Sequence, residues 1–307
     1  MKIGIVGIGN FGRSLAYTIA LKNLSKELAL IDIDKNKAKA TCFDLQQGWA
    51  LTNLTKVVTG GYEILADANI IIITAGKPRE YGQKRFDLIS ENIQIVSDIL
   101  KNILEYNNDF LLLITTNPVD IITYVAYKVS GLPKENIIGI GTILDTIRLK
   151  SLIVDELNIN PQDIGLYILG EHGENMVPIF SKATIHGEPL NNLSNFDAKK
   201  INALVQRVKL GGEDILKLKQ PPVFAPSLAA AYVLESIIND SKRIIPISSY
   251  IQGEYGLDEV CLSLPFRIGQ NGLEEVVNLK INDDELKNLR ISQGILRSEL
   301  DSIKNLI

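Results

Sequence analysis

Through the first half of the chain, short apolar runs rich in β-branched residues alternate with longer stretches whose apolar positions recur at helical spacing. That alternation predicts parallel strands joined by crossover helices, because parallel neighbours need a long return segment between them. Strands are expected at residues 2–6, 28–31, 56–59, 69–74, 110–115 and 136–140, each apolar enough to be covered on both faces. Helices are expected at 11–22, 35–47 and 86–106, in segments poor in proline. The pattern implies an α/β fold built on a doubly wound parallel sheet.

After Gly141 the rhythm changes to mixed helix and hairpin, with a turn at His186-Gly187-Glu188-Pro189 and a long helix over 199–217. A boundary is therefore expected between residues 1–141 and a mixed α+β unit over 142–307. No Gly/Ser or Pro-rich linker divides the two, so an extensive interface with a cleft is expected. Residues 283–306 form an amphipathic pattern whose charges read as a solvated face without chemistry.

Composition narrows the partners. The chain has 307 residues, 46% hydrophobic and 22% charged, an ordinary globular balance. With 32 basic against 36 acidic side chains the formal charge is −4, so no global positive field exists to hold nucleic acid. The longest apolar runs, at 70–73 and 110–114, fall far short of the ~20 residues a membrane-spanning helix needs. The amino terminus passes directly into a glycine loop, so no secretion signal is expected. Cys42 and Cys261 form no CxxC pair and the chain has only two histidines, so no metal centre is expected; the cysteine usage suggests a reducing, cytoplasmic setting.

Candidate chemistry lies where strands end. Gly7-Ile8-Gly9-Asn10-Phe11-Gly12 is a GxGxxG between the first strand and first helix. Two of its glycines let the backbone turn and approach a pyrophosphate, the third lets helix and strand pack, and the helix N-terminus presents free N–H groups. A plain tight turn is the alternative. Asp32 follows twenty positions after Gly12, where a carboxylate can accept both ribose hydroxyls of a dinucleotide. Together they point to a Rossmann sheet binding NAD. A carboxylate there repels the 2′-phosphate of NADP, although Lys35 and Lys37 nearby leave use of both open.

The segment 74–85 carries two spaced arginines, Arg79 and Arg85, between glycines; it reads either as a solvated cationic loop or as a lid over a substrate. In Thr115-Thr116-Asn117-Pro118-Val119-Asp120, Asn117 can hydrogen-bond a substrate oxygen or serve simply as a helix N-cap before a proline. Asp145 and Arg148 share a helix face, as an ion pair would. His172, between two glycines in Gly170-Glu171-His172-Gly173-Glu174, suits presentation into a cleft and is the candidate for proton transfer. His186, in the expected turn, reads as exposed and structural.

Read in order, GIGNFG, LIDID, ITAGKPREYGQKRFDL, TTNPVD, LDTIR and GEHGE resemble the lactate/malate dehydrogenase family, and IIPISSY, GEYGL and IGQNGLEE extend the resemblance to the whole chain. The resemblance implies that His172 is the acid/base and Asp145 its orienting carboxylate. It implies substrate contacts from Arg148 on the carboxylate, from Arg85 on the reacting oxygen, and from Asn117 on the nicotinamide side. Cofactor contacts are implied for Gly7, Gly9, Asn10, Phe11, Gly12, Asp32, Asn92, Thr115 and Asn117. Arg79 stands where the family's malate enzymes carry arginine and its lactate enzymes usually glutamine. A second carboxylate would pair with that guanidinium, whereas a methyl group would leave it unpaired.

Two departures stand out: Glu174 replaces the usual aspartate, and Gln220-Pro221-Pro222-Val223-Phe224-Ala225-Pro226 replaces small or hydroxylated residues at the cleft. The reading is an NAD-dependent malate dehydrogenase acting on a small dicarboxylate, malate or oxaloacetate, as a homodimer or homotetramer, without nucleic-acid or membrane partners. The alternatives are a dehydrogenase for lactate or another 2-hydroxy acid, an NAD-dependent glycoside hydrolase, which would need a metal, and a non-catalytic dinucleotide-binding protein.

Overall fold

The computed structural model describes residues 1–77, 85–192 and 198–306. In the first half the elements are β1 (Lys2–Val6), α1 (Asn10–Leu21), β2 (Glu27–Ile31), α2 (Lys35–Gly48), β3 (Lys56–Thr59), β4 (Ile70–Ile73), α3 (Arg85–Leu104), β5 (Leu111–Ile114), α4 (Val119–Ser130) and β6 (Ile137–Gly139). All six strands are parallel in the order β3-β2-β1-β4-β5-β6. The chain reverses its winding between β1 and β4, the point at which open α/β sheets bind ligands. Four consecutive isoleucines make β4, all buried, because a central strand covered by helices on both faces has no solvent side. The observed elements match the expected ones within one or two residues at each end.

The second half comprises α5 (Ile143–Leu157), β7 (Ile164–Gly165), β8 (Ile168–Gly170), β9 (Met176–Pro178), β10 (Thr184–Ile185), β11 (Glu188–Pro189), α6 (Ala198–Lys217), α7 (Phe224–Ile238), β12 (Arg243–Gln252), β13 (Asp258–Gly269), β14 (Gly272–Val276) and α8 (Asp283–Ser302). Its long strands do not build a sheet of their own. β12 joins β6 antiparallel at Ser248 and Gly139, β13 follows, and β8 and β9 complete the row. One hydrophobic core therefore runs from Ile3 to Ile303 through both halves. A smaller cluster around Leu149, Ile168, Met176 and Val208 fills the space beneath α5 and α6.

α7 is apolar around most of its circumference, and its Ala229-Ala230-Ala231 run lets α1 and β13 approach closely. The amphipathic α8 opens with a capping box, Asn282 with Glu285, and buries Leu289, Ser292, Leu296 and Leu300. Most of its charges are solvated as expected, but Glu285 is buried and accepts from Ser181, and the buried face of the helix reaches the candidate site.

The glycine loop fixes how α1 meets the sheet. Gly7 has φ +105°, and a Cβ on it would lie 2.4 Å from the Ala75 nitrogen. A Cβ on Gly12 would stand 2.0 Å from the Gly7 carbonyl oxygen and 2.9 Å from Thr74 Oγ1, whereas one on Gly9 would meet nothing within 4 Å. Gly12→Ala is therefore expected to lower unfolding stability by about 1–3 kcal/mol through overpacking against backbone. Gly9→Ala should stay within about 1 kcal/mol of the parent. Denaturant midpoints of the two variants test the contrast.

Candidate active site

Gly9 is the N-cap of α1 and supplies no side-chain cap, so the first-turn N–H groups of the helix open toward the space a Cβ on Gly9 would enter. Asn10 is exposed, Phe11 is half-buried and Gly12 is buried under the turn. Asp32 follows β2 directly; its Oδ2 accepts the Ile8 N–H at 2.6 Å and its Oδ1 the Asp34 N–H at 2.9 Å. The carboxylate thus stands at the mouth of the glycine loop, half-buried, with lone pairs to spare for hydroxyl donors. Uncapped helix, open cradle and neighbouring carboxylate fit a dinucleotide's pyrophosphate and ribose.

The ends of β4 and β5 meet beside this loop. Thr115 Oγ1 donates to the Ile73 carbonyl at 3.0 Å and Thr116 Oγ1 to the Ala75 carbonyl at 2.6 Å. Asn117 is exposed and precedes a cis peptide bond to Pro118, and Pro118 rather than Asn117 occupies the N-cap position of α4. The helix-cap reading of Asn117 is therefore corrected: its amide is not used to start the helix. Asn92, expected against the cofactor, is 1% exposed. Its Oδ1 accepts the Lys77 N–H at 2.8 Å, and its Nδ2 donates to the carbonyls of Asn117 at 2.8 Å and Lys77 at 3.3 Å. With both ends engaged by backbone, Asn92 ties the two loops together instead of facing the cleft. Arg79 lies outside the described residues, and of Arg85 only its backbone place at the start of α3 is described.

Across the sheet, α5 and β8 bring Asp145 and His172 together although they are 27 positions apart. Two threonines four positions apart, Thr142 at the N-cap of α5 and Thr146 in its first turn, set the register. Thr142 Oγ1 donates to the Ile168 carbonyl, and Thr146 Oγ1 accepts the Ile168 N–H at 3.0 Å. Both backbone groups of one β8 residue are thereby locked to the helix that carries Asp145. Asp145 is 4% exposed. Its Oδ2 lies 2.6 Å from His172 Nδ1, and its Oδ1 lies 3.6 Å from Arg148 Nη1.

The backbone beside His172 is held from two sides. Ser292 on α8 accepts the Glu171 N–H on its Oγ at 2.7 Å, and Asp120 on α4 accepts the His172 N–H on its Oδ2 at 2.7 Å. Neither residue stood out in the sequence as part of a site. Ser292 sits inside a helix read as solvated, and an aspartate in a first helical turn is accounted for by the helix dipole alone.

Burial disfavours the His172 imidazolium, but the charge and hydrogen bond of Asp145 and the charge of Asp120 outweigh burial and the opposing Arg148 charge. The net effect raises the imidazole above its ordinary value. A carboxylate on Nδ1 fixes the ring with Nδ1–H pointing at Asp145, which leaves Nε2 to exchange a proton outward. The His172 side chain is about a fifth exposed. His186 is exposed in the β10–β11 turn, with Nδ1 3.2 Å from Asp163 Oδ2, and takes no part. No group of His, Cys, Asp and Glu among the described residues could hold a metal ion. Nor does any described helix have the length and apolarity to cross a membrane.

Arg148 and Asn10 line one groove of about 1550 Å³ between α1, α2, α5 and α6, closed on one side by Pro221, Pro222 and Phe224. A predicted dinucleotide contact and a predicted substrate cation thus share one groove, with the Asp145 carboxylate 3.6 Å from Arg148.

Comparison with known proteins agrees with this geometry. The model of the lactate/malate dehydrogenase NAD binding domain matches residues 1–139, and that of the lactate/malate dehydrogenase alpha/beta C-terminal domain matches 142–307. An L-lactate dehydrogenase of Acetivibrio thermocellus is 37% identical over 98% of this chain and 97% of its own length. A malate dehydrogenase of Chlorobium luteolum is 36% identical over 100% of both. Among solved structures, a lactate dehydrogenase from a Medee basin deep-sea metagenome library superposes with a TM-score of 0.95 at 33% identity, covering 99% of this chain and 98% of that one. The malate dehydrogenase of Salinibacter ruber gives 0.92 at 33% identity, covering 100% and 98%. The chain belongs to the lactate/malate dehydrogenase family, oxidoreductases that use a nicotinamide dinucleotide and a small organic acid.

Proposed function

We propose that this enzyme is an NAD-dependent malate dehydrogenase that interconverts (S)-malate and oxaloacetate, an acid pair of the tricarboxylic acid cycle. One observation carries the reaction class: His172 Nδ1 lies 2.6 Å from a buried carboxylate, Asp145, whose other oxygen faces Arg148. Residues 1–141 hold the dinucleotide in this reading and 142–307 supply the acid/base and the substrate clamp.

A nicotinamide dinucleotide bound here would supply or accept the hydride. The protein's own residues do the rest. Arg148 pairs with the carboxylate beside the reacting carbon. His172 Nε2 gives its proton to the substrate oxygen as the ketone is reduced and takes it back as the alcohol is oxidised, while Asp145 holds Nδ1–H throughout. Arg85 polarises the same oxygen and Asn117 hydrogen-bonds it from the cofactor side. Gly7, Gly9, Asn10, Phe11 and Gly12 would receive the pyrophosphate, Thr115 would contact the cofactor, and Asp32 would take the ribose. The Asp32 carboxylate disfavours a 2′-phosphate, which supports NAD over NADP.

Malate specificity is supported by the arginine at position 79, which offers a dicarboxylate a partner for its far end. The second reading, a lactate dehydrogenase, draws on the apolar wall of Pro221, Pro222 and Val223 along the groove. We also propose a homodimer or homotetramer in the cytoplasm. Tyr17 and Leu21 on α1 and Phe224 and Leu228 on α7 are exposed apolar side chains on adjoining helices, and a second copy would cover them.

Steady-state kcat/KM should favour oxaloacetate over pyruvate, and Arg79→Gln should shift that ratio toward pyruvate by at least about tenfold; a native preference for pyruvate overturns the malate assignment. His172→Ala should lower turnover about 10²–10⁴-fold while NADH binding, followed by fluorescence titration, persists. Ketone reduction requires the imidazolium, so its rate should hold at low pH and fall as pH rises through a value above the ordinary histidine value of ~6.5. Asp145→Asn should move that alkaline limb to lower pH, because the neutral amide no longer favours the imidazolium.

A further inference from the structure

Asp120 is a buried carboxylate that the reaction as written does not use. It lies in the first turn of α4 with 3% exposure, and its Oδ2 accepts the backbone N–H of His172 at 2.7 Å. Ser248 on β12 is the side chain that interacts with its carboxyl, yet neither Asp120 Oδ1 nor Ser248 Oγ completes a hydrogen bond of good geometry. The titratable groups that face it are His172 and Glu171 from the loop after β8 and Cys261 from β13. The Ser292 hydroxyl of α8 holds the adjacent Glu171 N–H.

A carboxylate is a poor choice for this contact on stability grounds alone. An asparagine oxygen would accept the same N–H, and its amide could donate to Ser248, with no charge taken out of water. What asparagine cannot supply is negative charge next to the imidazole.

We infer that Asp120 is a positioning residue for the acid/base histidine: it pins the backbone of residue 172 from the α4 side and adds a second carboxylate charge, after Asp145, that favours the imidazolium. This rests on the reading of His172 as the proton donor. The energetics of the carboxyl agree. Burial pushes it up to about 6, with Glu171 adding to the rise, against the lowering effect of Ser248 and of the His172 N–H and charge. Its value in the folded protein is thus above the unfolded one, so this group favours folding only at acid pH and disfavours it once ionised. At neutral pH the fold carries an ionised group that only the neighbouring imidazole makes useful.

Asp120→Asn in the full-length enzyme tests this. The alkaline limb of kcat/KM for oxaloacetate reduction should move down by about half a unit to one unit, with NADH affinity within about twofold of the parent. The thermal midpoint at pH 8 should be no lower than the parent's, since an ionised buried group has been removed. Asp120→Ser provides a second route: its hydroxyl can still accept the His172 N–H, the charge is gone, and the limb should move in the same direction. A folded Asp120→Asn variant that binds NADH and keeps the parental limb overturns the inference. If that variant does not fold, an unmoved limb in Asp120→Ser overturns it. His172→Ala separates the two levels: if that variant turns over normally, the acid/base assignment itself has failed. If it is inactive and the limb is unmoved, only the role of Asp120 has.

Discussion

Taking Asp145 out of water is favourable only if its partners are in place, and the second half of the molecule is arranged to keep them there. A carboxylate with 4% exposure cannot tolerate a one-residue slip between α5 and β8, because the imidazole would be withdrawn and the charge left unpaired. Thr142 and Thr146 prevent that slip by engaging both backbone groups of Ile168, two residues before the positive-φ turn at Gly170. The geometry of the Asp145–His172 pair is thus set by helix–strand register, with the two side chains as its readout.

The same economy appears on the dinucleotide side, where side chains near the cleft are spent on backbone. Asn92 uses its whole amide to join the loops after β4 and β5. Asp32 receives the N–H groups of Ile8 and Asp34 and so shapes the glycine loop that it faces. A ligand arriving there meets donors and acceptors already aimed, which lowers the ordering cost of binding.

Much of this could be read from the chain before any coordinates. The six parallel strands were legible because a strand buried on both faces has no polar positions to blur its ends, as the isoleucines of β4 show. The glycine loop was legible because its task is steric and local. Asp145 and Arg148 share a helix face by spacing alone, but their meeting with His172 depends on how α5 lies on β8, which no periodicity encodes; the family resemblance supplied it. Asp120 and Ser292, and the loop-tying bonds of Asn92, stayed hidden for a different reason. Each looks ordinary on its own helix, and each acts through a backbone group far away in sequence. The reading of Asn117 as a helix cap failed because proline at the next position took that place.

The pairing of β12 with β6 has a consequence for how such a molecule can be divided. The two halves are matched by separate family models, yet the hydrogen-bonded ladder and the apolar interior pass through the seam between them. Excising residues 1–139 would strip β6 of its neighbour and leave an uncovered strand edge beside bared isoleucines and leucines, a template for association with other chains. The nucleotide half is therefore not a transplantable module. Recombination between relatives would have to carry β12 along with it, or replace it with another strand of the same register.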